Sequence, residues 1–429
     1  MKIENAKAKN VDLVAYHDLN GRPGFQMAIQ CVSDRWYLYV AHWNAHGFSI
    51  LDVTEPTSPK YVKFVPEPGG KPGTTTNKIQ VADGIMITNL ATLNPIFHDY
   101  FPDMPFDEGI LIWDVKDPEN PKCLSHWSTG AKGTHRNYYG GGRYVHLSAS
   151  CRGFDGNIYR IVDIIDPAHP VEVGRWWLPE QYEAGGAKNR PGEKIHLHGP
   201  PYPNSKGDRA YLSYAGLGMV IVDISDITLP RYLGSLQTTP PFGWGAPTCH
   251  TVVPIERRNL AIITSEGRRL MARATGSKQT GKRPPMNFIG VADISDEKDP
   301  ALISIFPTPE PPPDDRFKNY FETERIGAYG FGPHNVHEPH YHPDMEYRDD
   351  RIYVTYCIAG LRIYDISDPF MPKEIAYYVP PDPKDWLWQK SGGLGGELRA
   401  NPEDIIVDKR GYIFMDNMQA GLHVLRCTV

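Results

Sequence analysis

Short apolar runs, each closed by an Asp and a Pro-bearing polar turn, recur along this chain. Six near-copies stand out: SILDVTEPTSP, LIWDVKDPENP, RIVDIIDPAHP, VIVDISDITLP, GVADISDEKDP and RIYDISDPFMP. Runs rich in Val, Ile and aromatic residues between turn residues predict strands, since branched side chains suit a pleated surface. The Asp of each copy falls at Asp52, Asp114, Asp163, Asp223, Asp293 and Asp365, a spacing of roughly 50–70 residues that suits a four-stranded propeller blade with insertions. Asp-Pro and Ser-Asp chemistry at these positions points to turn capping rather than catalysis.

Each unit reads as four strands, the third carrying the Asp and the fourth following the turn, as in KYVKFVPE, KCLSHWS, VEVGRWWLP, RYLGSLQ, ALISIFPTP and KEIAYYVPP. Six complete blades result. The C-terminal stretch EDIIVDKRGYIFMDNMQAGLHVLRCTV supplies three more strands without a fourth, and VDLVAYHD (residues 11–18) reads as a fourth strand without its unit. The predicted fold is therefore all-β, a seven-bladed β-propeller whose last blade is closed by the N-terminal strand, leaving no free sheet edge in the ring. Residues 1–429 are expected to form one domain, and the 40 Gly and 40 Pro fit its many tight turns. The copies, VIVDIS around Asp223 most closely, resemble the LVIVD-repeat family of β-propeller proteins. That resemblance implies the fold and carries no activity, so function has to be read from the site.

Aligning the blades on their second strands, such as RWYLYVAH, RYVHLSAS and RAYLSYAG, gives a common register. Counting back to the start of each first strand reaches GTHRNYY, HLHGPPYP, CHTVVPI and HNVHEPHYHP in blades three to six. A histidine opens four consecutive blades: His135, His198, His250 and His337, with His196 and His334 near the same register. First strands line the channel of a propeller, so these imidazoles are expected to converge at one mouth. A histidine that merely served the repeat would appear in all blades. Instead Gln26 stands in blade one, Thr76 or Asn77 in blade two and Glu403 in blade seven. Four imidazoles suit a divalent transition metal, with Fe(II) favoured and Mn, Zn or Cu as alternatives. Glu403 and His334 are the candidate proton-transfer groups. His340 and His342 are expected at the surface near the opposite mouth, and His146 in the core.

Long loops fall where propeller connectivity places them over that mouth: 89–108, 181–196, 266–287, 308–333 and 382–402. They are rich in aromatic residues, as lids over organic substrates are. Expected substrate contacts are Gln26 and His196 at the ring, Phe101, Phe331 and Trp386 in the loops, and Arg268 in the basic segment 266–287, which is also read as a solvated face or a clamp for an acidic group.

The formal net charge of −6 argues against a nucleic-acid surface. The N-terminus lacks the apolar core of a signal or anchor, no stretch reaches the length of a spanning helix, and the six scattered Cys show no CxxC spacing. A cytoplasmic protein acting on a small-molecule substrate, without nucleic-acid or membrane partners and with homo-oligomers open, is the resulting expectation. Three functions compete. The favoured one is a non-haem iron oxidoreductase or oxygenase acting on a small apolar or aromatic molecule, similar in architecture alone to the carotenoid cleavage oxygenases and the selenium-binding proteins. The others are a Mn- or Zn-dependent lyase or hydrolase at the same site, and a non-catalytic scaffold for protein interactions.

Overall fold

The computed structural model describes residues 6–95, 98–186, 195–238, 249–266, 287–312, 331–388 and 398–429. Seven antiparallel sheets form the seven-bladed ring. Blade one runs Gly24–Val32, Arg35–His42, Gly47–Asp52 and Lys60–Pro66 from the channel outward. Blades two to five repeat that order. In blade seven Val11–His17 pairs antiparallel with Gly421–Cys427, so this early strand completes the last sheet, as expected.

The repeat explains the packing. The residue two before each repeat Asp is Ile50, Ile112, Ile161, Ile221, Val291 or Ile363, and all are 0% exposed. Each is wedged where one blade packs on the next, and such a side chain contributes about 1.5–3 kcal/mol by leaving water. The Asp then stops the strand: its carboxylate accepts from the backbone N–H two residues on at Thr54, Lys116, Ile165, Ser225, Ser295 and Ser367. A bulge between the third and fourth strands recurs in all six copies, for example at Ile221/Val222, adding twist at the rim. Three copies begin the third strand with Gly, at Gly47, Gly109 and Gly218. At Gly109 and Gly218 the backbone takes positive φ and a Cβ would stand 1.8 and 2.1 Å from the fourth-strand carbonyls of Trp127 and Leu236, so only glycine lets these strands close up.

Blade six departs from the prediction. The run HNVHEPHYHP forms no regular first strand; it meets Arg351–Thr355 through the isolated bridge Val336↔Val354 and single backbone bonds such as His334 N–H to the Thr355 carbonyl, with Phe331↔Cys357 just before it. Pro333, Pro339 and Pro343 lack the N–H a ladder needs, and His340 and Tyr341 take left-handed backbone. A strand the sequence reading did not foresee, Lys7–Lys9, pairs with Lys373–Val379 at the outer edge of this blade. No disulfide joins the six cysteines. Among the described residues no helix is long and apolar enough to cross a membrane.

Candidate metal centre

The mouth is built from the residues that open the first strands. His250 directly precedes the first strand of blade five, Thr251–Ile255. In blade three the pairing register shifts between Thr134 and Arg136, so His135 is the extra residue of a bulge, a device that re-aims a side chain. The same shift occurs between Gly24 and Met27 and between Pro402 and Ile405, placing Phe25, Gln26, Glu403 and Asp404 in bulges.

Four imidazoles follow one another around the mouth. Ring centroids stand 4.5 Å apart for His135 and His198, 4.7 Å for His198 and His250, and 5.0 Å for His250 and His334. The blade-six member is His334, and this corrects the expectation of His337. The His337 ring is held by backbone instead, with Nε2 2.8 Å from the Glu346 carbonyl and Nδ1 accepting from the Val407 N–H. Without a regular first strand, the register in blade six lands three residues earlier.

Glu266, which follows the second strand of blade five, completes the cluster. Its carboxylate oxygens lie 3.8 Å from His198 Nε2 and 3.7 Å from His334 Nε2. One donor atom each from His198, His250 and Glu266 falls within a 4.8 Å span. The sequence reading expected imidazoles alone; the cluster holds a carboxylate. Two of the rings have fixed orientations. His250 Nδ1 is 2.7 Å from Thr251 Oγ1, and His334 Nδ1 is 3.0 Å from Glu403 Oε2, which leaves Nε2 of each for the mouth. Partners of this kind set the tautomer of a ligating imidazole. Burial, reinforced by His198 and His334, pulls His250 well below its ordinary value, so it stands as a neutral donor.

Beneath the ring lies a buried charged cluster that sequence reasoning missed. Arg136 donates to Asn335 Oδ1 and Glu338 Oε1, each at 3.0 Å. Asp404 accepts from the Met27 N–H at 2.8 Å, and its own N–H donates to Asp416. Burial raises the Glu338 carboxyl and pushes Asp404 up to about 7. Lys78 occupies the blade-two position, one residue beyond the Thr76 and Asn77 of the alignment, immediately before the strand Ile79–Ala82.

The remaining expected residues are dispersed. Gln26 is buried, but its Oε1 accepts from the Ile79 N–H and ties blade one to blade two. His196 lies beside His198 at 5.8 Å. Phe331 packs in the core against Tyr356, and Phe101 is 68% exposed at a loop tip; neither lines the mouth. Trp386 is partly exposed, while Trp388 makes the contacts expected of it. Phe25 stacks on Trp43 and Trp43 on His98, each at 4.7 Å, and Trp388 packs against Trp43 and His98 at 5.7 and 5.8 Å. Phe25 meets His334 edge-on at 6.4 Å, so this aromatic column runs up to the ring. Arg268 and most of the basic segment lie outside the described residues. His340 and His342 are buried rather than at the surface: His340 stacks on Tyr202, and His342 Nδ1 accepts from the Asp344 N–H. His146 is a satisfied core histidine, 2.7 Å from the Tyr159 hydroxyl.

The LVIVD repeat is matched at residues 35–65, 153–177 and 205–238. No curated protein matches the chain. Among solved structures, a functionally unknown protein from Desulfotomaculum acetoxidans DSM 771 is similar, with 13% identity and a TM-score of 0.47 over 82% of this chain and 84% of that one. The chain is a seven-bladed β-propeller that contains LVIVD repeats.

Proposed function

We propose that this chain is a metal-dependent enzyme whose reaction centre is the histidine mouth, with a divalent transition metal held by His198, His250 and Glu266, His334 in reach as a further ligand and His135 alongside. The convergence of donor atoms carries the reading: three fall within 4.8 Å of one another. Ligands about 2.1 Å from a shared ion stand roughly 3–3.5 Å apart, so small side-chain adjustments close the set. Two imidazoles and one carboxylate with positions left open suit non-haem Fe(II), which favours an oxidoreductase or oxygenase acting on a small apolar or aromatic molecule. The ion would supply redox capacity and Lewis acidity. The chain's own residues do the rest. Thr251 and Glu403 hold the rings of His250 and His334 in one tautomer, Glu403 is placed to take a proton from His334, and the Phe25–Trp43–His98 column offers an apolar wall for a planar substrate.

Glu266 favours a second reading. A carboxylate beside two imidazoles also suits Mn or Zn and hydrolytic chemistry, so a lyase or hydrolase uses the same residues. Elemental analysis of the purified protein, followed by oxygen uptake with aromatic or polyene substrates with and without Fe(II), tests both. Iron-dependent oxygen consumption is the expected result. Turnover that persists under strict anaerobiosis, with Zn or Mn as effective as iron, supports the second reading; a protein that takes up none of these metals is no metalloenzyme.

A further inference from the structure

We propose that Lys78 is an amine nucleophile that condenses with the carbonyl group of an aldehyde or ketone admitted to the histidine mouth. The inference needs no metal and stands apart from the metal reading. Lys78 holds in blade two the place that His250 holds in blade five, directly before the first strand. It is 4% exposed, and its side-chain nitrogen lies 4.0 Å from the centroid of Phe25. Among the described residues it makes no side-chain hydrogen bond and no ion pair. Phe25 is also the neighbour of His334, so one phenyl ring links the amine to the imidazole mouth. A buried ammonium without a close partner is costly, and a methionine would fill the same space without that cost. The position therefore calls for a reason.

Burial and the nearby Arg136 pull Lys78 well below the ordinary ammonium range, by more than Asp404, Glu403 and Glu338 restore. Desolvation and an adjacent cation are the two devices that keep a lysine amine neutral for covalent chemistry. The face of Phe25 favours the charged form, but weakly beside the loss of hydration. In the step itself the nitrogen lone pair attacks the carbonyl carbon, a C–N bond forms, and the carbonyl oxygen takes up a proton as the nitrogen gives one up. The carbinolamine hydroxyl then leaves as water with a second proton while C=N forms. Asp404, whose charge acts on Lys78 and whose carboxyl is pushed up to about 7, is the group we assign to supply it. No oxidant or reductant is required. The aromatic column beside Lys78 suits a planar carbonyl compound.

Reductive methylation of the intact folded chain tests the proposal without any variant. Formaldehyde and cyanoborohydride at pH 6.5, with peptide mapping over time, report the reactivity of every lysine. Lys78 should be methylated at least about tenfold faster than the exposed Lys60 and Lys122, and should lose this lead once the chain is unfolded in urea. Treatment with EDTA should leave the lead intact, so loss of metal and loss of amine reactivity are seen separately. A Lys78 that stays unmodified after Lys60 and Lys122 have reacted, or one that keeps its lead in urea, overturns the proposal.

Discussion

His334 and Glu403 come from adjacent blades and meet with Nδ1 and Oε2 3.0 Å apart, both out of contact with solvent. The carboxylate is itself held by the side-chain amide of Asn401, and the Asn335 amide donates to the Glu403 carbonyl at 2.7 Å. The pair thus couples the irregular opening of blade six to the bulged opening of blade seven. Glu403→Gln should weaken metal binding by about 10–100-fold, the usual cost of removing such a partner, while leaving the fold intact. Titration of Co(II) into the variant, followed by its visible spectrum, measures this; unchanged affinity would mean that the His334 ring needs no partner.

The register in blade six makes a sharp comparison between neighbours. His334→Ala and His250→Ala should strongly lower the metal content of the purified protein. His337→Ala should leave it unchanged and instead cost about 1–3 kcal/mol of stability, because the Val407 N–H and the Glu346 carbonyl lose a buried partner. His342→Ala is the second control. Elemental analysis and urea unfolding of the four variants separate the two kinds of loss, and equal metal loss in all four defeats the assignment.

Arg136 and Glu338 form a buried pair at 3.0 Å beneath the ring. Arg136→Met should destabilise by about 3–5 kcal/mol, because it leaves a carboxylate buried without its cation. The double change Arg136→Met with Glu338→Met should cost less than the sum of the single changes. Denaturant unfolding of the three variants reads this directly, and strict additivity would show that the pair carries no coupling.

Two core histidines set an acid limit on stability. Burial pulls His146 and His423 down to about 3, whereas an unfolded histidine titrates near 6.5. Between those values the unfolded chain binds more protons, so stability should be full above about pH 6.5 and fall as the pH drops towards 3, by up to about 1.4 kcal/mol per pH unit for each residue. His423→Phe should flatten that slope by one proton's worth. Chemical unfolding at a series of pH values checks it; an unchanged slope in the variant would mean that His423 is already protonated in the fold.

Removing residues 1–17 takes away the outer strands of both blade six and blade seven. Val11 and Ala15 are buried on the last sheet, so the loss should be felt throughout the ring, with a clear fall in melting temperature and a rise in aggregation through the exposed edges. A truncated chain as stable as the full one would show that the ring does not depend on this closure.

The ring, its blade number and its closure were legible in the sequence because one pattern of Ile, Asp and Pro is repeated and each copy has one structural meaning. The histidines at the mouth were legible for the same reason: an alignment fixes position whenever the backbone is regular. It failed where the backbone is not. The prolines around His337 break the first strand of blade six, and the register passed to His334. Glu266 was missed because it lies after a second strand, where the alignment gave no cause to look. Lys78 was missed by one residue because its blade opens with two short pairings, Thr74–Thr75 and Ile79–Ala82, rather than one strand. Phe331, an aromatic in a loop by composition, turned inward because its backbone bridges Cys357.

The clasp made by Lys7–Lys9 and Val11–His17 also sets the order of events during synthesis. These strands leave the ribosome ahead of the rest of the ring, yet their partners, Lys373–Val379 and Gly421–Cys427, belong to its last two blades. Until then the nascent chain is an open arc with two unsatisfied rims, and closure waits on the contacts of greatest sequence separation, the slow kind in any topology. The Thr428 N–H donates to the Asn10 carbonyl at 3.0 Å, so the two ends already lie side by side. A circular permutant opened after Asp18, with Val429 joined to residue 6 by a short linker, would make blade seven a contiguous meander. It should close sooner and aggregate less during refolding, with the histidine mouth unchanged.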